Sequence, residues 1–193
     1  MASTPRLLAF AGSTRTDSFN KKLIRVAARL AEEAGAEVTV FDLRDLDLPL
    51  YDGDLESNHG LPEGAQRMKA VMKEHDAFLI ASPEYNSSIS GALKNAIDWA
   101  SRPTGDEVRL ECFTGKIAGL LAASPGALGG LRGLVHLRAI LGNINVLVVP
   151  EQHAIPKASE VFDDDGSLAD ENHLKSVAAV AQRVVEVTAR MKA

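Results

Sequence analysis

Leu7-Leu8-Ala9-Phe10-Ala11-Gly12-Ser13-Thr14-Arg15-Thr16-Asp17-Ser18-Phe19-Asn20 is the stretch on which the reading of this chain turns. Its first five residues are a short apolar run, suited to a strand buried on both faces. A pattern of helical period then begins, with Phe19, Leu23, Val26, Ala27, Leu30 and Ala34 on one face and Gly35 as its stop. A strand thus passes through a polar turn, Gly12 to Asn20, into a helix. The turn offers free backbone N–H groups, the hydroxyls of Ser13, Thr14 and Ser18, and the fixed cation of Arg15. Together these suit an anion. The guanidinium fork donates two parallel bonds to phosphate oxygens. Between Ser18 and Glu32 there is no acid, yet Lys21, Lys22, Arg25 and Arg29 are present. Cations in a first helical turn oppose the helix dipole, and a bound anion offsets part of that. The loop is read as a grip on a cofactor phosphate; the plainer alternative is an ordinary N-cap at Ser18.

Outward from this stretch, strands and helices alternate. The strands expected are Leu7–Ala11, Glu37–Leu43, Ala77–Ser82, Lys116–Ala123 and Asn145–Val149, the last ended by Pro150. The helices expected are Ser18–Ala34, Pro62–Glu74, Gly91–Ala100, Leu131–Leu141 and about Ala169–Met191. Leu46–Gly60, rich in Asp and holding Pro49, reads as a long loop, as does Arg102–Gly115. The alternation implies α/β architecture: a five-stranded parallel sheet with helices on both faces, in three layers. No repeat, low-complexity tract or linker divides the chain, so residues 1–193 are expected to form a single domain.

Open sheets of this kind bind ligands beyond the C-terminal ends of their strands, where strand order reverses; in the flavodoxin-like order 2-1-3-4-5, that point lies between strands one and three. The informative loops follow strands one, three and four. The second reads Pro83-Glu84-Tyr85-Asn86-Ser87-Ser88-Ile89-Ser90-Gly91. Its amides, the two-way hydrogen bonding of Asn86 and the ring of Tyr85 suit a flat heteroaromatic system. The helix dipole at Gly91 favours a ring that gains negative charge on reduction. The third, Ser124 to Gly130, leaves amides uncovered at Gly126, Gly129 and Gly130.

Composition narrows the classes. The net charge of −5 gives no broad basic field for nucleic acid or an anionic membrane. The lone Cys112 allows no intrachain disulfide, and the five histidines, His59, His75, His136, His153 and His173, show no metal spacing. No metal is expected, the acidic run Asp163–Asp165 reading as a solvated turn. Gly-x-Ser-x-Gly is absent, which argues against a hydrolase. No apolar run reaches transmembrane length and no charged leader opens the chain, so a cytoplasmic location is expected.

Three sets of residues together resemble the NADPH-dependent FMN reductases, which include quinone and chromate reductases of flavodoxin-like fold. They are Gly12-Ser13-x-Arg15-x-x-Ser18-x-Asn20; Pro83-Glu84-Tyr85-Asn86 with Ser90-Gly91-x-x-Lys94-Asn95-x-Ile97-Asp98-Trp99; and Ser124-x-Gly126-x-x-Gly129-Gly130. The resemblance spans roughly residues 6 to 150. It implies FMN held at its phosphate by Ser13, Arg15, Ser18, Phe19 and Asn20. It implies Pro83, Glu84, Tyr85, Asn86 and Ser87 along the isoalloxazine, with Ser124 and Gly126 on the other side. It also implies a homodimer or homotetramer, with Trp99 and Leu134, Leu137 and Leu141 on candidate contact helices; their alternative is core burial. NADPH or NADH would serve as co-substrate, with Arg102 as a guessed phosphate partner. The activity implied is hydride transfer from NAD(P)H through flavin to quinones, chromate, azo dyes or a similar small-molecule acceptor. No side chain is assigned as acid or base. The rival readings are a flavodoxin-like electron carrier, which usually has a Thr-rich phosphate loop and more aromatics, and a flavin-binding regulatory module.

Overall fold

The computed structural model describes residues 3–192. β1 (Arg6–Ala11) leads through the Gly12 turn into α1 (Phe19–Glu33), followed by β2 (Glu37–Asp42). A 3-10 turn (Leu43–Leu46), α2 (Gly53–His59) and α3 (Glu63–Glu74) connect to β3 (Ala77–Ala81). β4 (Glu84–Tyr85) and β5 (Ser88–Ile89) precede α4 (Gly91–Ala100). β6 (Ile117–Ala123), α5 (Leu131–Asn143), β7 (Leu147–Ile155), α6 (Ala158–Val161) and α7 (Glu171–Met191) complete the order. The main sheet runs β2-β1-β3-β6-β7, all parallel. Counting only its own strands, that is the expected 2-1-3-4-5.

Alternation along the buried strands divides the apolar residues between two layers. Ala77, Leu79 and Ala81 of β3 pack with Leu23, Ala27, Val180 and Val184 of α1 and α7. Phe78 and Ile80 pack with Met68, Leu93, Leu134 and Leu137 of α3, α4 and α5. α7 lies so close to β6 that a Cβ on Gly119 would stand 2.6 Å from Val184 Cγ2.

Four expectations are corrected. The Leu46–Gly60 segment is not all loop: the acids read as loop-formers are helix caps, Asp52 accepting from the Asp54 amide at 2.8 Å and starting α2. The segment is pinned from α4, where Asn95 Nδ2 and Trp99 Nε1 both donate to the Pro49 carbonyl. β7 does not stop at Pro150 but continues to Ile155. Pro150 sits where register jumps from Ala118 opposite Val148 to Leu120 opposite Gln152, and a bulge tolerates the missing N–H. The Pro83–Ser90 loop closes as a hairpin, with Asn86 (φ 50°) and Ser87 (φ 65°) both left-handed. α7 begins at Glu171 rather than Ala169, because the Asp170 carboxylate caps the Asn172 and His173 amides at 2.9 Å.

Candidate cofactor site at the strand ends

The turn after β1 is bolted to the elements beside it. The Gly12 amide donates to Ala81 O at 2.8 Å, and Ser90 Oγ donates to Gly12 O at 2.5 Å. A Cβ at Gly12 would stand 2.9 Å from Leu93 Cδ2, so the close approach of turn and α4 requires glycine. Ser90 also caps α4 by accepting from the Leu93 amide at 3.0 Å.

Within the turn, Ser13 is buried and its hydroxyl accepts from the Arg15 amide at 3.3 Å. Ser18 is only 4% exposed and stands at the N-cap of α1. Its hydroxyl nevertheless makes no capping bond. The first bonds of the helix run from the Lys21 and Lys22 amides to the Ser18 carbonyl, leaving the amides of Phe19 and Asn20 ahead of them. Arg15 is exposed and, among the described residues, forms no ion pair. The turn thus holds an uncommitted hydroxyl on a buried serine, two leading amides and, among the described residues, a guanidinium with no ion-pair partner.

Two residues of the expected phosphate set use their side chains elsewhere. Phe19 stacks on Phe162 with ring centroids 6.0 Å apart. Asn20 clamps the end of β6, donating to Ala123 O at 2.9 Å and accepting from Ala123 N at 3.0 Å. The cation cluster of α1 is also redistributed. Lys21 pairs with Asp42 at 2.6 Å, while Lys22, Arg25 and Arg29 line an outer hollow with Asp165 and Gly166. Burial would raise the Asp42 carboxyl, but the Lys21 hydrogen bond and the Arg44 amide outweigh it and hold the group below its ordinary range.

In the hairpin, Tyr85 is 51% exposed, while Pro83 is buried. Glu84 is committed to α5: Oε1 accepts from Arg132 Nη2 at 2.6 Å, and Oε2 from the Gly133 amide at 3.0 Å. Burial raises its carboxyl, and the Gly133 amide and Arg132 guanidinium more than reverse that. Ser88 Oγ lies 2.9 Å from His136 Nδ1. After β6, Ser124 Oγ accepts from the Gly126 amide at 3.2 Å. The glycines that the fold needs here are Gly129 (φ +62°) and Gly130 (φ +96°). A Cβ on Gly129 would lie 2.6 Å from the Ile155 carbonyl carbon.

The three loops are therefore joined in pairs, through Ser90 to Gly12, Asn20 to Ala123 and Glu84 to α5. Beside them a cavity of about 250 Å³ is lined by Thr14, Leu43, Arg44, Ala92 and Asn95, among others. Arg44, whose guanidinium donates to Thr16 Oγ1, was not marked by any motif. Nor was the contact of His153 Nε2 with His173 Nδ1 at 2.9 Å, since 20 residues separate the pair in sequence.

Other candidates lie outside the crevice. Arg102 lies just beyond the far end of α4, whose ten residues span about 15 Å at 1.5 Å each. Trp99, Leu134, Leu137 and Leu141 are core residues, not contact residues. Burial pushes the Cys112 thiol up to about 11, which leaves it inert. Among the described residues, no group of three or more His, Cys, Asp or Glu is placed to hold a metal, and no helix is long and apolar enough to cross a membrane.

The family model described as NADPH-dependent FMN reductase matches residues 5–160. The chain belongs to that family. The chain is similar to a probable NADPH:quinone oxidoreductase 2 of Oryza sativa subsp. japonica, 37% identical and covering 86% of this chain and 79% of that one. A 2-hydroxy-1,4-benzoquinone reductase of Burkholderia sp is 36% identical over 88% of each chain. Among solved structures, the flavoenzyme FerB of Paracoccus denitrificans, an NAD(P)H:(acceptor) oxidoreductase, superposes with a TM-score of 0.82. It is 31% identical and covers 98% of this chain and 100% of that one. The family segment contains all three loops of the crevice.

Proposed function

We propose that this chain is an FMN-dependent oxidoreductase that passes a hydride from NAD(P)H, by way of the flavin, to quinones or similar acceptors. Bound FMN supplies the two-electron redox chemistry; the chain binds, orients and polarises. Ser13, Arg15, Ser18 and the amides of Phe19 and Asn20 hold the phosphate. Asn20 acts further through its side chain by fixing the β6 end against this turn. Pro83, Glu84, Tyr85, Asn86 and Ser87 border the isoalloxazine, with Ser124 and Gly126 at its opposite edge. Glu84 serves by tying the hairpin to α5, and the left-handed Asn86 and Ser87 present their backbone rather than a continuing strand.

One observation carries the assignment. Ser18, buried as a residue at a helix start, has a hydroxyl that caps nothing, and it sits in the same turn as Arg15, which among the described residues has no ion-pair partner. The fold uses neither group, and a phosphate uses both. Family membership and the names of the relatives point to the same chemistry.

The apolar side chains exposed around the start of α5, Leu128, Leu131 and Val135, are covered in a homodimer or homotetramer on this reading. A cytoplasmic location fits the same reading. Anaerobic mixing tests the function. NADPH or NADH should bleach the yellow protein, and benzoquinone should restore the colour. Colour that persists in both nicotinamides contradicts the assignment.

A further inference from the structure

The end of α4 remote from the crevice borders a second cleft, of about 320 Å³, shared with the 102–110 segment and the C-terminal part of α5. Its lining is of two kinds. Ile97, Leu110, Ile140 and Ile144 are aliphatic; Arg102 and Arg109 bring two guanidinium groups. Lys94 and Asp98, also at this cleft, neutralise each other at 2.7 Å. Among the described residues, neither arginine has a carboxylate partner.

Arg102 is the unusual member. Among the described residues its buried Nε has no hydrogen-bond partner, and Nη2 donates only to Ser101 Oγ at 3.1 Å. Its guanidinium carbon stands 5.5 Å from the centre of the Tyr51 ring. A buried donor left unmet is costly and rare in folded proteins. Flexibility does not account for it, because the segment that carries both arginines is anchored. Lys69 donates to Arg102 O and to Glu107, Lys73 pairs with Glu107 at 2.6 Å, and the Thr104 amide donates to Glu107 Oε2 at 3.0 Å. Leu110 is held at φ +61°, a conformation a leucine adopts only when its surroundings impose it. The cleft is preformed, which lowers the ordering cost of binding.

We propose that this cleft binds a small amphipathic anion: a carboxylate or phosphate head on one aromatic or branched apolar body. Arg102 and Arg109 take the head, and the Ile97, Leu110, Ile140 and Ile144 side chains take the body. A bare inorganic anion leaves the aliphatic wall wet, and a neutral apolar molecule leaves both guanidinium groups without a counter-charge. The site does not depend on the flavin assignment, since the length of α4 lies between them.

The test is a titration of the full chain as purified. Trp99 is the sole tryptophan; its ring packs on Tyr51 at 5.0 Å, and Tyr51 in turn carries Arg102. Indole emission therefore reports the cleft, alongside calorimetry. Benzoate and phenyl phosphate are the probes; benzyl alcohol lacks the charge, and acetate and inorganic phosphate lack the body. At least one probe should bind about tenfold tighter than both its uncharged and its bodiless control. The tighter head group identifies whether the ligand is a carboxylate or a phosphate ester. Exposed Arg109 tolerates change, so Arg109→Gln should weaken that probe about tenfold with NAD(P)H turnover unaltered. Arg102→Gln should weaken the same probe by a similar factor. Absence of heat and of any emission change with both probes overturns the proposal. So does equal binding of the controls, or a probe affinity untouched by Arg109→Gln.

Discussion

The two ends of the parallel sheet differ in the polar groups that they leave unpaired. At the N-terminal ends of the strands, charge is consumed within the fold. Asp76 accepts from the Arg6 amide at 2.8 Å and from Lys192 Nζ at 2.6 Å. Lys116 donates to His75 O, and Glu107 takes both Lys69 and Lys73. At the C-terminal ends, Arg15 lacks an ion pair, Ser18 caps nothing and Tyr85 is half exposed. Paired polarity marks structure, and unspent polarity marks a ligand. The Arg102 cleft, at the structural end, holds a buried donor that breaks this rule, which is why it draws a proposal of its own.

The contrast can be broken by substitution. Lys69→Met should lower unfolding free energy by about 1.5–3 kcal/mol, the scale of a hydrogen bond to a charged group, since Lys73 and the Thr104 amide still hold Glu107. FMN affinity of the folded variant should not change. Chemical denaturation and flavin titration together read both values, and a large loss of FMN affinity would erase the distinction between the ends. Glu107 sharpens the same point through pH. Burial works to raise its carboxyl, yet the hydrogen bonds from Lys69 and then Lys73 bring it from 4.5 to about 2. A depressed pKa stabilises the fold above the unfolded value, and that contribution is lost as pH falls through the folded one. Wild-type stability should therefore decline between pH 4.5 and about 2. In Glu107→Gln the starting stability should be lower and this part of the acid decline absent.

At the other end the signs reverse. Arg15→Ala should weaken FMN by about 1.5–3 kcal/mol, the scale of a hydrogen bond to a charged group. The thermal midpoint of the flavin-free protein should stay where it is. Ser18→Ala should weaken FMN by about 1 kcal/mol. It should spare the fold, because no capping bond is lost. A marked fall in apoprotein stability in either variant would assign these residues to structure instead.

How much of this was legible in sequence depends on the range of the interactions. β1, the turn and α1 were readable because an apolar run and a helical period are local signals. The sheet order followed from alternation and from loops that made sense only as neighbours. The clamp of the Asn20 side chain on Ala123 is not legible locally, because 103 residues separate the two. Lys21 was grouped with the other cations of α1 because nothing local announces Asp42. The hairpin at Glu84–Ile89 was missed because its turn places two non-glycine residues at positive φ, where glycine or an Asn-Gly pair is the usual sign. Pro150 misled for a related reason: a proline ends a strand unless a register jump removes the need for its N–H.

The central claim is that the polar groups left over at the C-terminal strand ends exist for FMN. Titration of flavin-free protein with FMN, followed by the loss of flavin fluorescence, tests it most directly. The account predicts saturation at one FMN per chain and a weaker curve for Arg15→Ala. Fluorescence that stays at the level of free FMN throughout the titration, or wild-type and Arg15→Ala curves that coincide, would contradict it.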